Sequence, residues 1–189
     1  YNAPFETVNM PDSVTDIGAN AFYKSSVKHV KFSKNLKRIG VAAFDEALLN
    51  EIELPEGLEV IRSLAFYSNG PVTDIKLPDS VKIVQPNAFG DLKSLESIDL
   101  GTLEYIPSNI VGSCENLKSV KLSDTAKFLA PFAFSGCKAL EEINVNDSAI
   151  IGKYAFEFTS FDGQYPPSYD DMTLYLPIFA YTSWDMMFE

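Results

Sequence analysis

The chain has 189 residues, 46% of them hydrophobic, and a formal net charge of -11. That length and apolar content suffice for a continuous core. The acidic balance, spread along the chain, argues against a nucleic-acid partner, which wants a basic stripe, and against docking on an anionic membrane surface.

Phe5 occupies the slot later taken by Val27, Leu49 and Val72, so the chain starts in register and reads as a segment of a longer protein. No signal peptide is present and no apolar run approaches a transmembrane helix, but for such a segment missing targeting signals carry little information. The first predicted strand is Val8–Met10, followed by Pro11. Proline there ends the strand and opens a turn, where its missing N–H is cheap. Val14 and Ile17 then enter the core, Ala21-Phe22 follows, and Val27 leads into the next strand, Val30–Phe32. The same order recurs with strands at Ile52–Leu54, Ile75–Leu77, Ile98–Leu100, Val120–Leu122 and Ile143–Val145. The Ala-Phe pair recurs as Ala43-Phe44, Ala65-Phe66, Ala88-Phe89, Ala133-Phe134 and Ala155-Phe156, with Phe-to-Phe steps of 22, 22, 23, 45 and 22 residues. The step of 45 is doubled, with Ile110-Val111 in the missing slot. A period this short and sustained marks a solenoid with one coil per repeat.

In each strand the first and third residues face inward by alternation. Stacking places every slot above its copy, about 4.8 Å away. The expected architecture is a parallel β-sheet on one face, turns and short irregular or helical segments on the other, and a column of Phe rings between. The coil from Ile98 to Leu117 lacks one residue between Leu100 and Leu103 and exchanges Ala-Phe for Ile110-Val111. The small residue grew while the large one shrank, a swap that a packed core tolerates. After Phe156 the rhythm breaks, and Leu174-Tyr175-Leu176-Pro177 restores the strand-proline signature 31 residues after Ile143. Residues 1–157 therefore read as a solenoid of about seven coils. Residues 158–189 read as an insertion, a last strand and a C-terminal cap of the same domain, because a solenoid must cover its final coil.

The recurring pattern is apolar-x-apolar-Pro, an apolar residue, x-x-Ile-Gly, Ala-Phe, then Cys or a small residue. Val8 to Phe22 and Ile75 to Phe89 carry it closely, as do Gly112-Ser113-Cys114 and Ser135-Gly136-Cys137. It resembles the BspA-like, or Treponema-type, class of leucine-rich repeats, and the likeness covers nearly the whole chain. Thr173 to Pro177, with Tyr181 and Trp184, resembles the ending common in such arrays. The resemblance implies a leucine-rich-repeat solenoid in a bacterial cell-surface or secreted protein, with adhesion to host matrix proteins or other cells in some members. It supplies no binding residue to carry over.

The residues offer little catalytic chemistry. The single histidine, His29, has no Ser or Cys nucleophile nearby and reads as an exposed strand residue close to Glu51 on the next coil. Nothing points to an enzyme, a cofactor or a metal; Asp162, Asp170 and Asp171 lack calcium-loop spacing. Cys114 and Cys137 share a slot on consecutive coils, open either to a disulfide or to two buried free thiols.

Three outward features bear on binding. The strand positions Asn9, Lys31, Glu53, Lys76, Asp99, Lys121 and Asn144 alternate in sign, as a self-paired solvated face or as a charged docking face. A second column reads Asp16, Arg38, Val60, Ile83, Tyr105, Phe128 and Ile150. Its five apolar residues are an interaction stripe, with Tyr105 and Phe128 anchoring a protein partner or a self-contact, unless twist or another segment buries them. In the insertion, Tyr165 and Tyr169 belong to a binding loop or to a lid folded over the core's open end. The leading expectation is a non-catalytic protein-binding domain, with a structural spacer second and a carbohydrate-binding module third.

Overall fold

The computed structural model describes residues 6–165, and among them every regular element is a short parallel strand. Two ladders run along the molecule. The main ladder comprises β1 (Thr7–Asn9), β3 (His29–Lys31), β6 (Asp74–Lys76), β8 (Ser97–Asp99), β10 (Ser119–Lys121) and β12 (Glu142–Ile143). The second comprises the two-residue strands β2 (Asp16–Ile17), β4 (Arg38–Ile39), β5 (Val60–Ile61), β7 (Ile83–Val84), β9 (Tyr105–Ile106), β11 (Phe128–Leu129) and β13 (Ile150–Ile151). Equivalent residues of neighbouring coils pair directly, as in Asp74↔Ser97↔Ser119↔Glu142 and Tyr105↔Phe128↔Ile150. The expected stack of coils is present. The later member of the second apolar pair (Ile17, Ile39, Ile61 and their copies), however, lies in a strand of its own, and the described residues contain no helix.

Each ladder is interrupted once. In the second ladder the gap lies between β7 and β9, and its cause is Pro107. Elsewhere this position donates its N–H to the preceding coil, as Arg62 does to Ile39 O, Gln85 to Ile61 O, Ala130 to Ile106 O and Gly152 to Leu129 O. Proline has no N–H to donate. In the main ladder the gap falls at residues 51–53, although Asn50 N still donates to Lys28 O.

The remaining side of each coil is a run of turns built on left-handed residues. Positive φ recurs in pairs four residues apart: 20 and 24, 42 and 46, 64 and 68, 87 and 91, 109 and 113, 132 and 136, 154 and 158. Asn and Gly suit this conformation, but Leu64, Phe132 and Tyr154 do not, at a cost of roughly 1–2 kcal/mol each. The compensation is hydrogen bonding between coils. Ala42 N donates to Ser63 O, Phe44 N to Ala65 O and Glu46 N to Tyr67 O, and the pattern repeats along the stack.

The core lies between these walls. Phe44, Phe66, Phe89 and Phe134 are fully buried. The rings of Phe22, Phe44, Phe66 and Phe89 stack with centroids 4.9, 5.3 and 5.5 Å apart and planes within 8°. Ile110 and Val111, both fully buried, fill the gap before Phe134, which resumes the column with Phe156 at 5.5 Å. Phe161 and Tyr165 pack against Phe156, with Tyr165 5.0 Å from Phe156 and 6.0 Å from Phe161.

Candidate functional site

Three places singled out in the sequence now have geometry. The first is the Val60–Ile150 column, which is in line but is not a continuous exposed stripe. Val60 and Phe128 are buried, Ile83 is half-buried, and Tyr105 and Ile150 are exposed. Phe128 is flanked on both sides by its register partners Tyr105 and Ile150, and Val60 by Arg38 and Ile83. Side chains one strand spacing apart cover each other's flanks. Tyr105 borders the gap that Pro107 makes, and Ile150 stands on the last strand of the ladder among the described residues. The expectation of five exposed apolar residues in a row is thus corrected to two separated ones.

The insertion is the second place. Tyr165 packs on Phe156 and the core beneath it, whereas Tyr169 lies outside the described residues, as do the predicted last strand and cap. The third is the cysteine pair, and both thiols are free. Cys114 Sγ donates to Phe89 O at 3.3 Å and Cys137 Sγ to Val111 O at 3.2 Å, so each thiol is committed to a carbonyl of the coil below. Burial pushes both thiols up, Cys137 to about 12.

His29 Nδ1 lies 3.0 Å from Glu51 Oε1, an exposed contact between adjacent coils. The described residues include no group of three or more His, Cys, Asp or Glu placed to hold a metal, and no helix long and apolar enough to cross a membrane.

A broad concavity lies on the face whose outward strand residues the sequence offered as a self-paired or a docking face. The outward face of the main sheet forms an open trough of about 1140 Å³, running from residues 52–56 across β6, β8, β10 and β12 to Phe161. The strands begin one residue earlier than predicted (Ser97–Asp99 rather than Ile98–Leu100), so the floor is set by the residues on either side of each strand's inward one. One row reads Asp74, Ser97, Ser119, Glu142, and the next reads Glu53, Lys76, Asp99, Lys121, Asn144. The buried residue between them in each of β6, β8 and β10 (Ile75, Ile98, Val120) anchors the strand.

Electrostatics divide this face from its surroundings. In the second row only Lys121 and Asp99 make a close pair, at 2.9 Å, while Asn144 bonds both the N–H and the carbonyl of Leu122. Alternation along that row therefore does not produce full self-pairing. Burial works to raise Asp99, but the Lys121 ammonium and the Gly101 N–H together hold it below the usual carboxylate range. Hydrogen bonds from the Ser97 and Thr73 hydroxyls hold Asp74 low as well. Elsewhere on the surface charges do pair between coils: Glu6 with Lys28 at 2.7 Å, Lys37 with Glu59 at 2.8 Å, Glu96 with Lys118 at 2.7 Å and Glu104 with Lys127 at 2.5 Å. The sequence named the Glu53–Asn144 row as a possible docking face but not its concavity or the Asp74–Glu142 row, because curvature across coils leaves no mark in a single repeat. The runs of outward residues at successive strands were the available signal.

Comparison with known proteins follows the same lines. No curated relative matches the chain. Its fold is similar to that of a leucine-rich repeat protein from Bacteroides ovatus, with TM-score 0.74 and 26% identity over 82% of this chain and 41% of that one. It is also similar to the pneumococcal vaccine antigen PcpA, with TM-score 0.67 and 26% identity over 79% of this chain and 41% of that one. A leucine rich cell surface protein from Faecalibacterium prausnitzii shares the fold at TM-score 0.59, 22% identity, 81% of this chain and 57% of that one. The chain thus spans well under half the length of the first two. The model of the BspA type leucine rich repeat region matches in 6 copies, over residues 1–101 and 60–168, and with the coils described above it places this chain in that family.

Proposed function

We propose that this chain is a non-catalytic protein-binding domain of a bacterial surface protein, and that the trough on the main sheet is its docking face. The observation that carries this reading is the uncovered sheet face itself. It holds an open concavity of about 1140 Å³ across five coils, with no described segment laid over it. One similar structure is that of a vaccine antigen and another is named a cell surface protein, which supports display outside the cell. Rigid scaffolds that present side chains at fixed spacing on an extended concave face serve binding rather than chemistry. The lining holds the hydroxyls of Ser97 and Ser119 and several carboxylates but no histidine, so no serine–histidine–acid set is assembled there.

A structural spacer is the second reading, and one observation favours it. Two of the five residues of the Val60–Ile150 column are buried, so that side of the solenoid offers no continuous apolar patch. A carbohydrate platform has less support, since Phe161 is the one aromatic residue among those lining the trough. The test replaces Ser97 and Ser119 on the trough floor with Trp, and separately Tyr105 and Ile150 with Ser. Each variant is then used to capture host matrix proteins and the producer's own surface proteins. The docking reading expects the Trp variant alone to lose captured proteins. A spacer predicts no specific capture by any form.

A further inference from the structure

We infer that the trough selects an extended polypeptide segment bearing two basic side chains four residues apart. This rests on the reading of the trough as a docking face and adds the chemistry of its occupant.

The argument begins with charge. The acidic side chains lining the trough are Glu53, Glu56, Asp74, Asp99, Glu141 and Glu142, against Lys76 and Lys121. Lys121 is engaged by Asp99 at 2.9 Å. Asp74 is met by the Ser97 and Thr73 hydroxyls, and no described cation lies against it. Glu142 is exposed and makes no described ion pair. Elsewhere several lysines pair with acids of adjacent coils, as in Glu96–Lys118 and Glu104–Lys127, whereas no described lysine is drawn to these two carboxylates. A face that leaves carboxylates without cations while its neighbours are neutralised complements a basic partner.

Spacing makes the inference specific. Asp74, Ser97, Ser119 and Glu142 are successive register partners, so three strand steps separate the two carboxylates. At about 4.8 Å per step the span is about 14 Å. Between them the floor carries only two short hydroxyl side chains, leaving room for a backbone to lie along the solenoid axis. An extended segment advances about 3.3 Å per residue and presents even-numbered separations on one face. Residues i and i+4 are then about 13 Å apart and point the same way, which matches the carboxylates. Residues i and i+3 point to opposite faces.

The experiment uses the whole chain and fluorescein-labelled peptides of one composition in a Ser/Thr/Val background: one with Arg at i and i+4, one with Arg at i and i+3, and one with Glu at i and i+4. Anisotropy is read at low ionic strength. We expect the i,i+4 Arg peptide to bind about five-fold more tightly than the i,i+3 peptide, as befits one additional exposed ion pair. Added salt should weaken binding, and the double variant Asp74→Asn/Glu142→Gln should lose the preference. Equal binding of both Arg peptides, or a preference that survives the double variant, overturns the inference. Tighter binding of the Glu peptide that Ser119→Trp blocks would overturn the basic class and leave the docking face standing. Failure of every peptide to bind would overturn the inference, while the capture experiment decides the docking face.

Discussion

Phe66→Ala is the sharpest perturbation of the scaffold. The ring is fully buried and sandwiched between Phe44 at 5.3 Å and Phe89 at 5.5 Å, with planes within 2° of both. Truncating a buried Phe costs about 3–5 kcal/mol, with the spread set by how far the surroundings collapse into the void. Here collapse is resisted. The coils above and below are held apart at this point by Phe44 N donating to Ala65 O and Phe66 N to Ala88 O. The upper half of that range, about 4 kcal/mol, is therefore expected. Phe22→Ala serves as the internal contrast. That ring is half-buried and, among the described rings, stacks only on Phe44, so a loss of about 2 kcal/mol follows. The assay is urea unfolding followed by far-UV circular dichroism, with stability taken from midpoint and slope. The Phe44→Ala/Phe66→Ala double variant should be non-additive by about 0.5–1.5 kcal/mol, the size of one stacked pair. A cost for Phe66→Ala equal to that of Phe22→Ala, or strict additivity in the pair, would refute a column that acts as a packed unit.

Other predictions test single features. Val111→Phe alone overpacks a slot that Ile110 has already filled, and should destabilise by about 1–3 kcal/mol; adding Ile110→Ala restores the Ala-Phe pair and should recover most of it, as urea midpoints would record. Gly40→Ala places a Cβ 2.7 Å from the backbone of the coil carrying Ile17, Gly18 and Ala19, whereas Gly18→Ala meets nothing within 4 Å. The first should lower stability by about 1–3 kcal/mol and the second should leave it nearly unchanged; equal melting temperatures would refute the close approach. Cys114 and Cys137 should resist iodoacetamide at pH 8 in the native state, because burial raises both thiols far above that pH. Unfolding without reductant should then expose two labelled thiols by mass, and an unlabelled pair would mean a bridge.

Much of the fold was legible because it rides on the repeat. The coil spacing, the Phe column and the Ile110-Val111 exchange follow from which slots stay apolar, and period alone reports that. The turn side was not legible. Its left-handed positions fall on Leu64, Phe132 and Tyr154 as readily as on Asn87 or Gly136, because contact with the next coil overrides the local preference. The Val60–Ile150 column stayed open between exposure and burial for a different reason. Alternation gives the direction of a side chain but not what its neighbours cover, and Phe128 is covered by the two residues stacked beside it. Pro107, standing where Arg62, Gln85 and Ala130 donate hydrogen bonds, was a signal in plain view for the ladder's break. The strand charges were read correctly in sign but not in reach. A lysine side chain is long enough to choose among several acids, and Lys118 pairs with Glu96 just outside the strands.

The uneven charge distribution separates what stacking demands from what it leaves free. Inward positions answer to the coils above and below, and the backbone answers to the ladders, so neither has latitude for a ligand. Outward positions answer only to their neighbours on the same file. Where a file serves the scaffold alone, opposite charges on adjacent coils are the low-energy arrangement, and Arg38 with Asp16, Lys37 with Glu59 and Lys127 with Glu104 adopt it. The file from Asp74 to Glu142 departs from it, with two carboxylates separated by two serines and no described lysine drawn across. Each exposed pair forgone costs only about 0–1 kcal/mol, so the scaffold tolerates the departure easily. The file on the floor of the trough is thus free to serve recognition of a complementary segment, the role proposed for it.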